Sequence, residues 1–175
     1  MTTVGLASIL TLAGGLTGGA IAPPELGPMA TTAPPKASLR ATFTEGAPLT
    51  QTSDCASEPK ICQAVLTGTG HLVGFGAATE ITGLTRDRAV TPCGPGSDSE
   101  VYTRRIKTRV GVLALRVSGV RCRTHTGWSI TARYHIDGSA SSGEFEGARG
   151  HGSDRVKLRP GHPGLVTICG TLELR

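Results

Sequence analysis

Residues 143–150 read GEFEGARG, in which three glycines and one alanine surround a single large apolar side chain, Phe145. So much glycine disfavours a helix. Glycine also permits a positive φ and a close approach of two backbone segments. The stretch therefore predicts a turn or a bulged strand in which Phe145 packs into a core from one side. Glu144 and Glu146 alternate with Phe145 and are expected to face solvent.

The segment just before this stretch shows the clearest strand pattern in the chain. Between Trp128 and Asp137, apolar and polar side chains alternate strictly. A period of two residues is typical of a strand with one buried face. The apolar set expected in the core is Trp128, Ile130, Ala132, Tyr134 and Ile136.

Shorter runs of the same kind predict further strands over most of the chain, separated by glycine- and proline-rich turns. In residues 73–81 the pattern places Val73, Phe75 and Ile81 on one face, whereas residues 82–90 are predicted to form a turn leading into a short edge. The other strands are expected at 38–44, 61–69, 100–110, 113–117, 155–158 and 166–174. About eight strands and no amphipathic helix indicate an all-β fold, either a closed antiparallel barrel or a sandwich.

Composition limits the classes of function. A chain of 175 residues suits one domain plus a tail. With 3% aromatic residues, the core must consist of small and β-branched side chains. The formal charge is +5 without any run of like charges, and few aromatic side chains are present for base stacking. We therefore expect a solvated basic surface and no nucleic-acid partner; weak attraction to an anionic envelope is the alternative.

The N-terminus resembles an export signal. Residues 1–22 are uncharged and moderately apolar and end in a small-x-small site, and residues 23–36 form a proline-rich linker. The stretch is too short and too rich in glycine for a transmembrane helix, so no stable membrane insertion is expected. These features predict a disordered signal and linker segment, a β domain at 37–175, and a secreted or extracytoplasmic protein. The alternative is an ordinary disordered apolar tail.

Five cysteines support export, because their spacing suits disulfides and not a zinc site. Cys55 and Cys62 bracket a turn-like segment and are one candidate pair. Cys93 and Cys122 flank the hairpin whose turn is expected near residue 110 and are the other. Cys169 is left as a free thiol, expected to be a semi-buried filler in the last strand. We expect no metal and no cofactor.

The stretch 142–150, followed by Val156-Lys157-Leu158, resembles the G-x-F-x-G/A-A-x-G signature of the allene oxide cyclase and dirigent barrels, and most of all the small exported bacterial proteins of that fold. Residues 134–138 and 66–70 fit the same layout, so the resemblance covers residues 60–175. It implies an eight-stranded antiparallel barrel with an apolar cavity, often a homo-oligomer. The matching fold residues are Gly143, Phe145, Gly147 and Gly150.

The same resemblance implies a cavity that shapes its ligand. Plant members cyclise an unsaturated epoxide or guide radical coupling, and some bacterial relatives fold polyketide chains, all without a metal or a cofactor. In this sequence Phe75, Trp128 and Tyr134 are the candidate cavity lining. No residue matches a catalytic set: there is no G-x-S-x-G motif, and the histidines lie at scattered turn and polar positions. They are His71, His125, His135, His151 and His162.

Two functions follow from these observations. The first is an exported, disulfide-stabilised barrel that binds a small apolar ligand or an envelope partner without catalysis. The second is a cofactor-free cyclase or isomerase that holds a flexible substrate in a reactive shape. Cavity volume separates the two, because an interior filled by apolar side chains would leave no room for a substrate. The filling side chains would be Val73, Phe75, Ile130, Ile136 and Ile168.

Overall fold

The structure is a computed structural model that describes residues 36–51, 61–89 and 91–175. These residues form strands, turns and loops, and none of them lies in a helix. The predicted signal segment 1–22 and all but the last residue of the predicted linker 23–36 lie outside the described residues. Within the described ranges, no helix is long and apolar enough to span a bilayer.

Eight long antiparallel strands form a closed barrel, as the sequence predicts. Going round the wall, the order is β1-β10-β9-β7-β6-β5-β4-β3, and β1 pairs again with β3. Two short strands, β2 and β8, add to the edges of β3 and β6. The strand bounds are Lys36–Glu45 (β1), Thr50–Gln51 (β2), Ile61–Leu72 (β3), Gly76–Asp87 (β4), Asp98–Lys107 (β5), Gly111–Thr124 (β6), Gly127–Ile136 (β7), Ser142–Gly143 (β8), His151–Leu158 (β9) and Gly164–Glu173 (β10).

Closure depends on β1, which pairs along its whole length with β10 and along its second half with β3. The approach of β1 to β3 is close at Gly70, where a Cβ atom would collide with the carbonyl oxygen of Thr42. A glycine is therefore required at this point of the seam. Because every long strand has two neighbours, the barrel leaves no long edge unpaired.

One end of the barrel is sealed by the segment 143–150. Phe145 is fully buried and its ring lies 4.8 Å, centroid to centroid, from the ring of Phe75. Gly143 and Gly147 adopt φ values of 65° and 70°, which an L side chain rarely takes, so the glycines allow the chain to bend over Phe145. Backbone hydrogen bonds between Arg149 and Glu173 fasten the segment to the end of β10. Phe145 thus occupies the core position that the sequence predicts.

Two parts of the strand prediction are wrong in β4 and the turn before it. Strand β4 continues to Asp87, so most of the segment 82–90 is not a turn. Val73 and Ile81, which the alternation grouped with the core face, are 54% and 52% exposed. The turn between β3 and β4 resets the alternation, so that β4 directs two polar and two apolar side chains inward. That set is Ala78, Glu80, Thr82 and Leu84.

Replacement of the sealing side chain tests its contribution to stability. Phe145→Ala is expected to lower the free energy of unfolding by about 3–5 kcal/mol, because it removes buried aromatic surface and leaves a cavity. The measurement is chemical denaturation followed by circular dichroism. The matched control is Glu146→Ala, which changes the exposed neighbour and is expected to alter stability by less than about 0.5 kcal/mol. Equal effects of the two substitutions would contradict the sealing role.

Candidate functional site

The barrel interior contains a buried cation surrounded by three carboxylates. Arg104 is 1% exposed, and its guanidinium contacts side chains from three other strands. Its Nε donates to Asp154 Oδ2 at 3.1 Å, and its Nη1 donates to Glu45 Oε1 at 3.0 Å and also to Glu80. We call Glu45, Glu80, Arg104 and Asp154 the inner cluster.

The inner cluster forms because each member occupies an inward position of its strand. Arg104 lies between the buried Tyr102 and Ile106 on β5, and Asp154 lies two residues before the buried Val156 on β9. Alternation of strand side chains therefore places these charged groups inside the barrel as firmly as it places their apolar neighbours. The sequence pattern contained this signal, but the sequence prediction assigned Arg104 to neither face of the strand.

One guanidinium cannot neutralise three carboxylates, and the acid–base properties of the inner cluster follow from that imbalance. Burial alone would lower the pKa of Arg104, but Asp154, Glu80 and Glu45 outweigh it and raise that pKa, so the arginine stays charged. Burial raises the pKa of Glu80 to about 7, against the opposing effect of Arg104. Burial likewise raises the pKa of Asp154. Near neutral pH the inner cluster can therefore hold or release a proton.

A second, charge-balanced group lies towards the other end of the barrel from Phe145. Asp98 accepts hydrogen bonds from Arg121 at 2.8 Å, and Arg86 Nε lies 2.9 Å from Glu100 Oε1 and 3.5 Å from Asp98 Oδ2. The Arg121 guanidinium also covers the Trp128 ring, 3.8 Å from its centroid. We call Arg86, Asp98, Glu100 and Arg121 the rim cluster.

Burial perturbs the rim cluster as well. Desolvation raises the pKa of Glu100, although Arg86 opposes this effect. Burial, and then the nearby Arg86, lower the pKa of Arg121. The two arginines and two carboxylates compensate each other, so the rim cluster carries no excess charge when all four are ionised. Its arrangement suits the orientation of a ligand at the barrel end better than it suits proton transfer.

Several buried polar atoms in these clusters have no hydrogen-bond partner within the described part of the chain. They include one oxygen each of Glu80, Asp154 and Glu100, and Nε of Arg121. An unsatisfied buried polar atom costs about 1–3 kcal/mol. The packing of the rest of the barrel must offset this cost.

A groove opens at the end of the barrel opposite Phe145, and we call it the mouth groove. Its volume is about 470 Å³. Three leucines, Leu66, Leu84 and Leu158, supply apolar lining, and Arg86 of the rim cluster supplies a cation that is 14% exposed. Turn residues 161–164, including His162, form one side of the groove. The mouth groove thus joins an apolar wall to a charged floor.

The three aromatic side chains predicted to line one cavity lie in separate places. Phe75 packs on Phe145 at the sealed end, and Trp128 lies half-buried beneath Arg121 near the rim cluster. Tyr134 is buried between them, with its hydroxyl against the inward faces of Gly152 and Gly170, where a Cβ atom would collide with it. None of the three lines the mouth groove. The leucines and Arg86 that do line it were not predicted as site residues.

The cysteines fasten the mouth end. Cys93 and Cys122 form a disulfide, with Cα atoms 5.7 Å apart, which ties the loop before β5 to the end of β6 beside the paired residues Asp98 and Arg121. Cys62 is disulfide-bonded, and its predicted partner Cys55 lies outside the described residues. Cys169 is a free thiol, but it is exposed on β10, so the expectation of a semi-buried filler is wrong. In the described ranges, no group of three or more potential ligand side chains is placed to hold a metal ion.

Comparison of the chain with known proteins gave no match to a family model, to a curated protein or to a solved structure.

The raised pKa of Glu80 predicts a pH dependence of stability. Its pKa is 4.5 ordinarily and about 7 in the folded protein, so protonation favours the folded state. Glu80 therefore contributes stability that is complete below about pH 4.5 and is lost as the pH rises through about 7, a change on the order of 1–3 kcal/mol. In Glu80→Gln we expect the free energy of unfolding to fall less over this range, measured by urea denaturation at a series of pH values.

The control for this experiment is Glu144→Gln, which removes an exposed carboxylate. It is expected to keep the pH dependence of the unmodified protein. If Glu80→Gln and Glu144→Gln give the same pH profile, Glu80 does not titrate in the window that its burial implies.

Proposed function

We propose that the protein is an exported, disulfide-stabilised barrel that binds a small molecule in the mouth groove without transforming it. The ligand would have a mostly apolar body and a polar or anionic end. The observation that carries the proposal is the difference between the two ends of the barrel. Phe145 and Phe75 close the lumen at one end, where a groove of about 900 Å³ outside them is lined mainly by polar and charged residues. The groove at the other end has leucine walls and an arginine beneath them.

The dimensions and chemistry of the groove support such a ligand. Small-molecule sites are concave, about 300–1,000 Å³ in volume, mostly apolar, and contain a few convergent polar groups. The mouth groove, at about 470 Å³, falls within this range. Leu66, Leu84 and Leu158 would contact the apolar body. The guanidinium of Arg86, fixed by Glu100 and Asp98, would orient the polar end.

Export is part of the proposal and is supported by the cysteines. Disulfides form and persist in oxidising compartments, and the Cys93–Cys122 bond fastens the groove end of the barrel. The resemblance of residues 142–150 to the allene oxide cyclase and dirigent barrels adds a reason to expect a ligand-holding barrel. An envelope partner in place of a small ligand remains within the same proposal, since it would use the same open end.

A second candidate, a cofactor-free cyclase or isomerase, is favoured by one specific observation. Glu80 is a buried carboxylic acid whose pKa is raised to about 7, and one of its oxygens has no partner within the described residues. A group with a pKa near the working pH is suited to donate and accept protons in general acid–base catalysis. In this alternative, a substrate that enters by the mouth groove would extend to the inner cluster.

Occlusion of the groove tests the binding proposal. The probe is anilinonaphthalene sulfonate, whose aromatic body and sulfonate match the leucines and Arg86. We expect saturable binding by fluorescence titration, and a loss of affinity of about tenfold or more in Ala64→Trp, which places an indole in the groove wall. Ile81→Trp adds the same side chain on the outer wall and is expected to leave affinity unchanged. Unchanged binding by Ala64→Trp, with its circular dichroism spectrum intact, would contradict the proposal.

The two candidate functions differ in what the protein retains. Small molecules extracted from purified protein and from Glu80→Gln can be compared by liquid chromatography with tandem mass spectrometry, which distinguishes isomers of equal mass. A binding protein is expected to yield the same compound from both. A cyclase or isomerase would yield from Glu80→Gln an uncyclised or unisomerised compound of the same mass as its product, which the unmodified protein lacks. That second result would overturn the non-catalytic proposal in favour of the alternative.

A further inference from the structure

Charge is distributed unequally between the two buried clusters and the rest of the chain, and this distribution is not explained by the mouth groove. The inner and rim clusters together hold five carboxylates and three arginines, a formal charge of −2 when all of them are ionised. Since the whole chain has a formal charge of +5, the remaining residues carry +7. The residues outside the two clusters are therefore more basic than the sequence total indicates.

Part of this positive charge lies on the outer face of two neighbouring strands that carry no exposed carboxylate. On β7 and β9 the outward positions include three cations and two histidines, all exposed, which we call the basic wall. Its members are Arg133, His135, His151, Arg155 and Lys157. The one carboxylate of these two strands, Asp154, points inward to Arg104. Within the described residues, Arg133, Arg155 and Lys157 take part in no ion pair.

The register of β7 with β9 places these residues in a row across the sheet. His135 pairs directly with His151, Arg133 pairs with Ser153, and Thr131 pairs with Arg155. Outward neighbours along one strand lie about 7 Å apart, and diagonal neighbours on adjacent strands lie about 7–8 Å apart. The distances between successive cations in this row are therefore comparable with the distances between phosphates along an extended phosphodiester chain. Because the residues lie on paired strands, the spacing of their side chains is fixed. On a flexible loop this spacing would vary.

The side chains between the cations indicate what kind of polyanion the wall suits. Ser129, Thr131 and Ser153 occupy the other outward positions of β7 and β9, and they offer hydroxyl groups. These positions contain no large apolar side chain, which insertion into a lipid surface would require. They also contain no Trp, Tyr or Phe, on which unpaired bases stack. The chemistry favours a linear, hydrated polyanion bound through its charges and oxygen atoms.

We propose that the basic wall of β7 and β9 binds a linear polyanion with regularly spaced phosphodiester or phosphate groups, recognised by its backbone and not by bases or acyl chains. This site is separate from the mouth groove, since none of the five residues of the basic wall lines that groove. Arginine suits bidentate contact with phosphate, and lysine adds a point charge. Binding weakens as salt rises, because each neutralised phosphate releases a counterion.

The test uses inorganic polyphosphate as the probe, with affinity measured over a range of salt concentrations. The wall variant carries Arg133→Ser, Arg155→Ser and Lys157→Ser. The control variant carries Arg105→Ser, Lys107→Ser and Arg109→Ser, which remove three exposed cations from β5 and the turn after it. Both variants therefore lose the same net charge. We expect the wall variant to bind at least tenfold more weakly at low salt with a shallower salt dependence, and the control to change by less than about twofold.

Equal losses in the two variants would overturn the proposal, because they would show that only net charge matters. Two further probes test the identity of the partner. Vesicles of phosphatidylglycerol are expected to bind more weakly than polyphosphate, and vesicle binding that exceeds polyphosphate binding would contradict the proposal. Oligothymidylate is expected to bind no more tightly than an abasic phosphodiester chain of equal charge. Tighter binding would indicate recognition of bases and would also overturn it.

Discussion

The contact of Arg104 with three carboxylates is the interaction on which the interior of this barrel depends. Arg104 belongs to β5, whereas Glu45 and Asp154 come from β1 and β9, which are not its neighbours in the wall. The guanidinium therefore bridges the lumen and connects strands that the backbone hydrogen bonds do not connect. Removal of one partner from such a buried ionic group leaves an uncompensated charge, at a typical cost of about 3–5 kcal/mol.

The excess of carboxylates over arginine in the inner cluster also explains why the interior can take up a proton. Three carboxylates and one arginine cannot all be charged without an unfavourable excess of negative charge in a poorly solvated space. The excess is relieved most simply by a proton near Glu80, whose pKa burial raises to about 7. The inner cluster, which connects strands across the lumen, is therefore also a site of proton uptake. This dual character makes acid–base chemistry the alternative to binding alone.

Charge and apolar bulk are distributed unequally along the barrel axis. Phe145, Phe75 and the apolar residues near them fill one end, where the bent segment 143–150 covers the lumen. The rim cluster, the Cys93–Cys122 disulfide and the mouth groove occupy the other. The same inward orientation that brings acidic side chains to Arg104, Arg86 and Arg121 leaves the outer wall basic. Interior and surface chemistry are therefore two consequences of one alternation pattern.

The architecture could be predicted from the sequence, whereas the chemistry of the interior could not. Strict alternation in β7 and the glycines around Phe145 depend on local rules, and both predictions are confirmed. The inward charges escaped prediction because a charged residue in a strand is normally expected to face water. The alternation of β5 indicates that Arg104 points inward, but no local pattern reveals that Glu45, Glu80 and Asp154 meet it there from distant parts of the chain. For the same reason Phe75, Trp128 and Tyr134 were grouped in one cavity although they lie apart.

The most direct test of the account is a titration of glutamate side-chain carboxyl groups by carbon-13 NMR. In the folded protein, one signal, identified by its loss in Glu80→Gln, is expected to titrate near pH 7, because one arginine incompletely neutralises the inner cluster. If every glutamate carboxyl group instead titrates below about pH 5, as exposed glutamates do, the inner cluster holds no proton near neutrality. The central claim about the interior would then be wrong.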